Sequence, residues 1–219
     1  MFVRPLKMVL IVGMLALMSL PATAAAEEFP HKAEKFIVNL AKEAITKLTD
    51  KSVTLEEQEK RFREIMKEYI AFKTIARWVL GGRYWRSATD QQQEEYLALF
   101  EQLMVSTYAH RFQNYSGETL EVSGVRAVGE MEALVQTTLM RPNADKPLRV
   151  DWRVRGSGDV IKVIDVMVEG LSMAQAQRSE FSSVMRDNGG DINALMEILE
   201  NRLETARADR LASTQKASQ

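Results

Sequence analysis

Hydrophobic residues in the first half of the chain recur every three to four positions, the spacing of an amphipathic helix. The spacing predicts helices over residues 31–49, 54–70, 72–80 and 89–112. The second and fourth begin with Ser/Thr-x-x-Glu/Gln capping boxes, in which side chains satisfy free backbone N–H groups at the helix start. The third ends at Gly81-Gly82, which suits a helix C-terminus.

Beyond residue 117 the hydrophobic period changes to two, which is typical of strands. Four strands are predicted over residues 120–128, 130–141, 148–155 and 160–169, and the short turns between them require antiparallel neighbours. Two helices follow, over residues 172–186 and 191–208. The predicted fold class is therefore α+β: a curved four-stranded antiparallel meander sheet covered by N-terminal and C-terminal helices.

The alternation assigns faces to the last two strands. In the third strand, Leu148, Val150, Trp152 and Val154 share one face, and Arg149, Asp151, Arg153 and Arg155 point to water. In the fourth strand, strict alternation places Val163 on one face and Val166 on the other. Because the fourth strand is apolar on both sides, we expect both of its faces to be covered.

The N-terminus reads as a cleavable export signal, residues 1–26. Arg4 and Lys7 precede an apolar run that is too short for a membrane span, and small residues place cleavage near Ala24–Ala26. A single domain over residues 27–208 and a disordered tail over 209–219 are predicted. Cleavage leaves 27 basic against 30 acidic residues, a net charge near −3 that disfavours nucleic-acid binding. With no cysteine, disulfides are excluded.

Few residues have the spacing that a metal site, a phosphate loop or a catalytic site requires. The two histidines, His31 and His110, have no metal ligands at suitable spacing, and the glycine pairs lack the Gly-Lys-Ser/Thr of a phosphate loop. Asp165 is the one carboxylate within an apolar strand, so it is either a structural hydrogen-bonding group or a catalytic base in a small pocket. We predict no catalytic residue, no metal site and no cofactor.

Two blocks of sequence resemble the MlaC/toluene-tolerance family of periplasmic phospholipid carriers from Gram-negative bacteria. The first is Arg-Trp-Val-Leu-Gly-Gly-Arg-Tyr-Trp-Arg-Ser-Ala-Thr at residues 77–89, followed by residues 91–100. The second is Val-Ile-Asp-Val-Met-Val-Glu-Gly-Leu-Ser-Met at residues 163–173, followed by Arg-Ser-Glu-Phe at 178–181. The chain departs from the family pattern at Ala71, Gly82, Asp90 and Ile164.

The resemblance implies a cone of the NTF2-like type whose hydrophobic pocket holds one diacyl phospholipid by its tails. It implies no enzyme activity. It also implies a periplasmic shuttle between an outer-membrane lipoprotein–porin complex and an inner-membrane ABC transporter with a substrate-binding hexamer, which maintains outer-membrane lipid asymmetry. Two alternatives stay open: an NTF2-like pocketed enzyme that uses Asp165, and a periplasmic chaperone or tether.

Candidate lipid-contacting residues come from the strand face and the helix stripes. They are Ile75, Val79, Leu103, Val135, Leu139, Val150, Trp152, Val154, Val163 and Val166. The loop Gly82–Arg86 is a candidate pocket mouth, because Tyr84 and Trp85 are flanked by Arg83 and Arg86, which suit an apolar rim beside a phosphate. The alternative is that these aromatics close the core. The arginines of the third strand are a candidate docking face.

Overall fold

The computed structural model describes the backbone of residues 22–142 and 144–217. Its elements in chain order are α1 (Ala22–Leu48), α2 (Leu55–Tyr69), α3 (Phe72–Leu80), α4 (Gly82–Ser87), α5 (Asp90–Tyr108), a 3-10 helix (Ala109–Asn114), β1 (Thr119–Gly129), β2 (Glu132–Met140), β3 (Leu148–Ser157), β4 (Val160–Val168), β5 (Leu171–Ser172), α6 (Met173–Asp187) and α7 (Ile192–Ala217).

The predicted export signal and the predicted C-terminal tail are only partly covered by the described residues. Residues 1–21 of the predicted export signal lie outside the described residues, and the predicted cleavage positions fall in the first residues of α1. Cleavage therefore stays a prediction. At the other end, the backbone of α7 is helical to Ala217, where we predicted a disordered tail from residue 209.

The helix boundaries follow from local chemistry. The Thr89 side chain accepts a hydrogen bond from the Gln92 backbone, and the Gln92 side chain accepts one from the Thr89 backbone, which completes the predicted capping box. Thr54 caps α2 by accepting from the Glu57 N–H, but the Glu57 carboxylate binds Arg61, so only half of the predicted capping box forms there. Gly81 ends α3 with a φ of 94°, a conformation that side chains rarely adopt.

The five strands form one antiparallel sheet in the order β1-β2-β3-β4-β5, so the predicted meander is confirmed. The fifth strand, which we did not predict, has only two residues because Ser172 also serves as the N-cap of α6. The turn before it contains Glu169 and Gly170, both with positive φ, as a two-residue hairpin of type I′ requires.

A bulge in β4 corrects the predicted faces of that strand. Arg153 is opposite Asp165 and Val154 is opposite Val163, which leaves Ile164 without a partner in β3. Because one extra residue reverses the alternation, Val163 and Val166 lie on the same face of the sheet, not on opposite faces. Strict period-two reading cannot detect such an insertion.

The inner face of the sheet is best described as four rows of paired residues. From the β2–β3 loop toward the opposite end, the rows are Leu120–Leu139–Leu148; Val122–Thr137–Val150–Val168; Val125–Val135–Trp152–Val166; and Ala127–Ala133–Val154–Val163. Helix α1, with Phe29, Ala33 and Ile37 buried, packs with residues of the third and fourth rows, and Leu120 and Val122 of the first two rows also pack against this cluster. We call this packing the sheet cluster.

A second core, the helical cluster, forms among α3, α5, α6 and α7. Its centre is Tyr96, fully buried, whose ring stacks on Phe100 at 5.9 Å and meets Phe181 edge-on at 6.3 Å. The Tyr96 hydroxyl donates to the Ala76 carbonyl oxygen at 2.9 Å. A polar group buried this deeply needs such a partner.

The two cores share no buried residue. They meet at the junction of α2 and α3, where the Ala71 N–H donates to the Val163 carbonyl oxygen at 2.9 Å and Ile70 forms an isolated bridge with Val163. A small linking cluster of Met66, Val105 and Ala109 lies between them. The molecule therefore consists of a sheet-plus-α1 half and a helical half, joined at the α2–α3 junction and where the start of α6 contacts Asp165 of β4.

Candidate functional site

The candidate lipid-contacting residues divide between the two halves. Ile75, Val79 and Leu103 belong to or pack against the helical cluster. The five residues Val135, Trp152, Val154, Val163 and Val166 belong to or pack against the sheet cluster. Leu139 and Val150 belong to neither. The strand residues thus lie together on one sheet face, and the helix residues lie in a separate core.

The distal end of the inner sheet face differs from the rest of that face. Four apolar residues in its first two rows belong to none of the three clusters found among the described residues: Leu139, Leu148, Val150 and Val168. Leu139 is opposite Leu148, and Val150 is opposite Val168, so the four form a continuous patch. We call this patch the distal face. It is half-buried or buried, yet no core cluster includes it.

A polar contact marks the border between the distal face and the sheet cluster. The Thr137 side chain, fully buried, donates to the Val150 carbonyl oxygen at 2.5 Å and accepts from the Trp152 indole N–H at 3.1 Å. Both polar groups are therefore satisfied within an otherwise apolar face. The contact fixes the Trp152 ring against the sheet, so that an apolar surface is presented beside the distal face.

This contact makes a prediction about Thr137. We expect Thr137→Val, which keeps the shape but removes the hydroxyl, to lower the free energy of unfolding by about 1–3 kcal/mol, because the Trp152 N–H loses its acceptor. Thr137→Ser, which keeps a hydroxyl, should retain most of the wild-type free energy of unfolding. Chemical denaturation, followed by tryptophan fluorescence, measures the change. Equal stability of wild type and Thr137→Val would show that the hydroxyl does not hold the indole.

The segment predicted as a mouth loop is a helix. Residues 82–87 form α4, so the loop prediction is wrong. The Tyr84 and Trp85 rings pack against the helical cluster, and Trp85 meets Tyr96 edge-on at 6.5 Å. Arg83 and Arg86 are exposed. These contacts agree with the alternative that the aromatics close the core, and the role of the segment as a pocket mouth stays a prediction.

The arginines of β3 are neutralised by carboxylates. Arg149 binds both oxygens of Asp151, at 3.1 and 2.6 Å, and Arg153 and Arg155 both bind Glu132. Asp151 is only 2% exposed, which corrects the prediction that it faces water. Burial opposes ionisation of Glu132, but the hydrogen bonds from Arg155 and Arg153 outweigh it and lower its pKa. This face presents little free charge to a partner.

An open groove lies on the other edge of the sheet, between α1 and β1. It has a volume of about 600 Å³ and is lined by Pro30, His31, Glu34 and residues 122–125 and 127. His31 and Glu34 both have exposed side chains, and their polar groups do not suit acyl chains. The groove is also remote from the helical half of the molecule. We therefore do not place a lipid site there.

Among the described residues, no group of three or more His, Asp or Glu side chains is placed to hold a metal ion. None of the helices in that part of the chain combines the length and the apolar composition that a membrane span requires.

Comparison with known proteins places the fold in a family. The family model "MlaC protein" matches residues 38–201, about three quarters of the chain. The chain belongs to the MlaC family. That membership agrees with the prediction of a binding protein without enzyme activity.

Two curated relatives carry this family's names. The chain is 22% identical over 113 residues to the intermembrane phospholipid transport system binding protein MlaC of Haemophilus influenzae, an alignment that covers 50% of this chain and 53% of that protein. It is 23% identical over 119 residues to the toluene tolerance protein ttg2D of Pseudomonas putida, covering 54% and 55%. The chain thus aligns with about half the length of each relative.

A solved structure extends the comparison to the whole fold. The phospholipid-binding protein from Ralstonia solanacearum, whose structure is a complex with a phospholipid, superimposes with a TM-score of 0.70 at 23% sequence identity. The match covers 80% of this chain and 98% of that one. The likeness shows that the present chain has the same α+β fold as the Ralstonia protein.

Asp165, the one candidate for a catalytic base, has a structural role. One carboxylate oxygen accepts from the Ser172 hydroxyl at 2.5 Å, and the other accepts from the Ala174 N–H at 3.2 Å. Both partners lie at the start of α6, where free N–H groups favour a negative charge. The carboxylate therefore fixes α6 to β4, as the structural interpretation of Asp165 required.

Sequence reasoning missed three residues near the border and the distal face. Thr137 looked like an ordinary polar position in an alternating strand, and Leu148 and Val168 were not among the candidates. The signal for Leu148 was present, because it shares a face with Val150 and Trp152 by alternation. No sequence signal shows that Trp152 donates to Thr137, because that diagonal contact depends on the register of β2 against β3.

Proposed function

We propose that this protein is a periplasmic carrier that holds a diacyl phospholipid by its acyl chains. The chains would lie between the distal face and the helical half, and the phosphate head group would face water. The protein would shuttle between an outer-membrane lipoprotein–porin complex and an inner-membrane ABC transporter with a substrate-binding hexamer, so that outer-membrane lipid asymmetry is maintained.

The observation that carries the proposal is the distal face itself. In the described part of the chain, its four apolar residues belong to neither core, although the rows next to them are packed by α1. An apolar surface that belongs to neither core is suited to a flexible apolar guest. Family membership and the names of the relatives support the same ligand class.

The physical need for a carrier follows from the lipid. Two acyl chains hold about 30 methylenes, and their exposure to water would cost on the order of 20 kcal/mol. A free lipid therefore cannot cross an aqueous compartment at a useful rate. The carrier needs no strong contact to the head group, because burial of the chains supplies the affinity.

Release is the harder step, since a lipid bound this way cannot be dropped into water. The carrier must dock so that its apolar site opens onto another apolar conduit. In this chain the two halves are joined by residues 70–71 at Val163 and by the contacts of Asp165 with the start of α6, and separation of the halves about these contacts would expose the distal face. The direction of transport would be set by the partner complexes, because the proposed carrier has no energy source of its own.

Native mass spectrometry of the gently purified protein tests the proposal. We expect one diacyl phospholipid per chain, released on denaturation and identified by its mass. As a loading control, lipid-free protein is mixed with unpurified periplasmic extract and measured again for lipid uptake. A chain that never carries or takes up a lipid would refute the carrier; co-purified polypeptide in its place would favour a chaperone or tether.

A further inference from the structure

The segment from Ile70 to Thr89 has an unusual charge balance. Its 20 residues contain no aspartate or glutamate and four cations, Lys73, Arg77, Arg83 and Arg86. Helix α6, which packs beside α3, begins with a further acid-free stretch, residues 170–179, that contributes Arg178. Because the whole chain carries a net charge of −1, this concentration of positive charge is local.

These five cations differ from those of the sheet. Among the described side chains, none of the five forms an ion pair with a carboxylate, whereas Arg149, Arg153 and Arg155 all do. The two carboxylates that border the second stretch have other partners: Glu180 binds Arg202, and Glu169 accepts the Arg149 N–H. The free positive charge of this face therefore lies on α3, α4 and the start of α6. We call it the basic face.

Aromatic rings hold three of its guanidinium groups. Arg178 lies 4.5 Å from the ring centre of Trp78, Arg77 lies 5.1 Å from that of Trp85, and Arg83 lies 5.9 Å from that of Tyr84. A ring fixes the plane of a guanidinium without occupying its N–H groups. Most of those groups are therefore free to bind oxyanions such as phosphate, and one Arg178 N–H donates to the Trp78 carbonyl oxygen.

Exposed apolar side chains occur on the same elements as these cations or directly before them. Trp78 is 43% exposed, and Leu171 and Met173, which flank the N-cap of α6, are 74% and 38% exposed. Leu171 directly follows the tight turn at residues 169–170, so it stands at the tip of a hairpin. An exposed tryptophan and a projecting leucine among unpaired cations match the interfacial zone of a membrane, where aromatic rings sit at the level of the head groups.

We propose that the basic face docks reversibly on an anionic phospholipid surface. The cations contact lipid phosphates, while Trp78, Leu171 and Met173 reach the interfacial layer. This inference does not rest on a lipid being carried inside the protein. An acidic protein surface would bind the cations but would leave the exposed tryptophan and leucine without a role. The lipid surface is therefore the better match.

Sedimentation with sucrose-loaded vesicles tests the proposal on the purified full chain. We expect binding to vesicles of phosphatidylcholine with phosphatidylglycerol, little binding to phosphatidylcholine alone, and loss of binding as salt rises. Arg83→Gln with Arg86→Gln should weaken binding about 25-fold, because each cation near an anionic surface contributes about fivefold. Trp78→Phe should reduce quenching by brominated lipids.

Lys35→Gln with Lys42→Gln is the matched control. Both lysines are exposed on α1, so this variant makes the same change of charge away from the basic face. It should bind as the wild type does. Equal weakening by the two double variants would overturn the proposal, because net charge would then explain it. Absence of wild-type binding to anionic vesicles would also overturn it and would leave an acidic protein as the partner.

Discussion

Tyr96→Ala should lower the free energy of unfolding by about 4 kcal/mol, in the range of large-to-small substitutions at fully buried aromatic positions. Tyr96 is completely buried and contacts Phe100, Phe181 and Trp85, so its removal leaves a cavity that four helices line. Burial also raises the pKa of its hydroxyl, which stays protonated and donates to Ala76. Thermal or urea denaturation measures the loss.

Tyr96→Phe separates packing from hydrogen bonding. It keeps the ring and removes only the hydroxyl, so we expect a loss of about 1 kcal/mol. A similar loss from both variants would mean that the ring is not packed as the structure shows. The comparison also tests whether the helical half is a dry core, which the proposed function requires because the acyl chains are placed outside that core.

Local chemistry explains why most elements were predictable from sequence. The N-cap at Thr54, the capping box at Thr89 and the turn glycines fixed helix and strand limits through contacts within a few residues. The extent of α4 was not predictable in this way. Its six residues follow Gly81 directly, and their helical form is supported by the packing of Tyr84 and Trp85 on elements distant in sequence.

The site was less predictable than the fold, because it depends on register and on which surfaces are packed. Alternation placed Val150 and Trp152 on one face, and the structure agrees. The bulge at Ile164 changed the faces of β4, and the division into two cores separated Ile75, Val79 and Leu103 from the strand residues. Apolar spacing alone cannot distinguish a packed interior from a surface that awaits a ligand.

The two proposed lipid contacts occupy different parts of the molecule. The distal face lies on the inner side of the sheet, whereas the basic face lies on α3, α4 and the start of α6. Helix α3 links them, since it begins at the junction with Val163 and carries Trp78 further along. A membrane docked on the basic face would therefore contact the helical half, and the sheet half with its packed α1 would not be part of that contact.

Val150→Trp should reduce phospholipid occupancy. The indole adds seven heavy atoms beside Leu139 and Val168, and displacement of about five methylenes of the lipid would weaken binding by about 4 kcal/mol, near a thousandfold. Leu139→Trp should act in the same way. Native mass spectrometry measures occupancy, and urea denaturation measures stability in parallel.

Stability separates this effect from misfolding. Val150 belongs to no core cluster of the described residues, so overpacking should reduce the free energy of unfolding by less than about 2 kcal/mol. Leu171→Trp, which places the same ring at a position that is 74% exposed, should keep full occupancy. If both Val150→Trp and Leu139→Trp fold and still carry one lipid per chain, the acyl chains do not lie against the distal face.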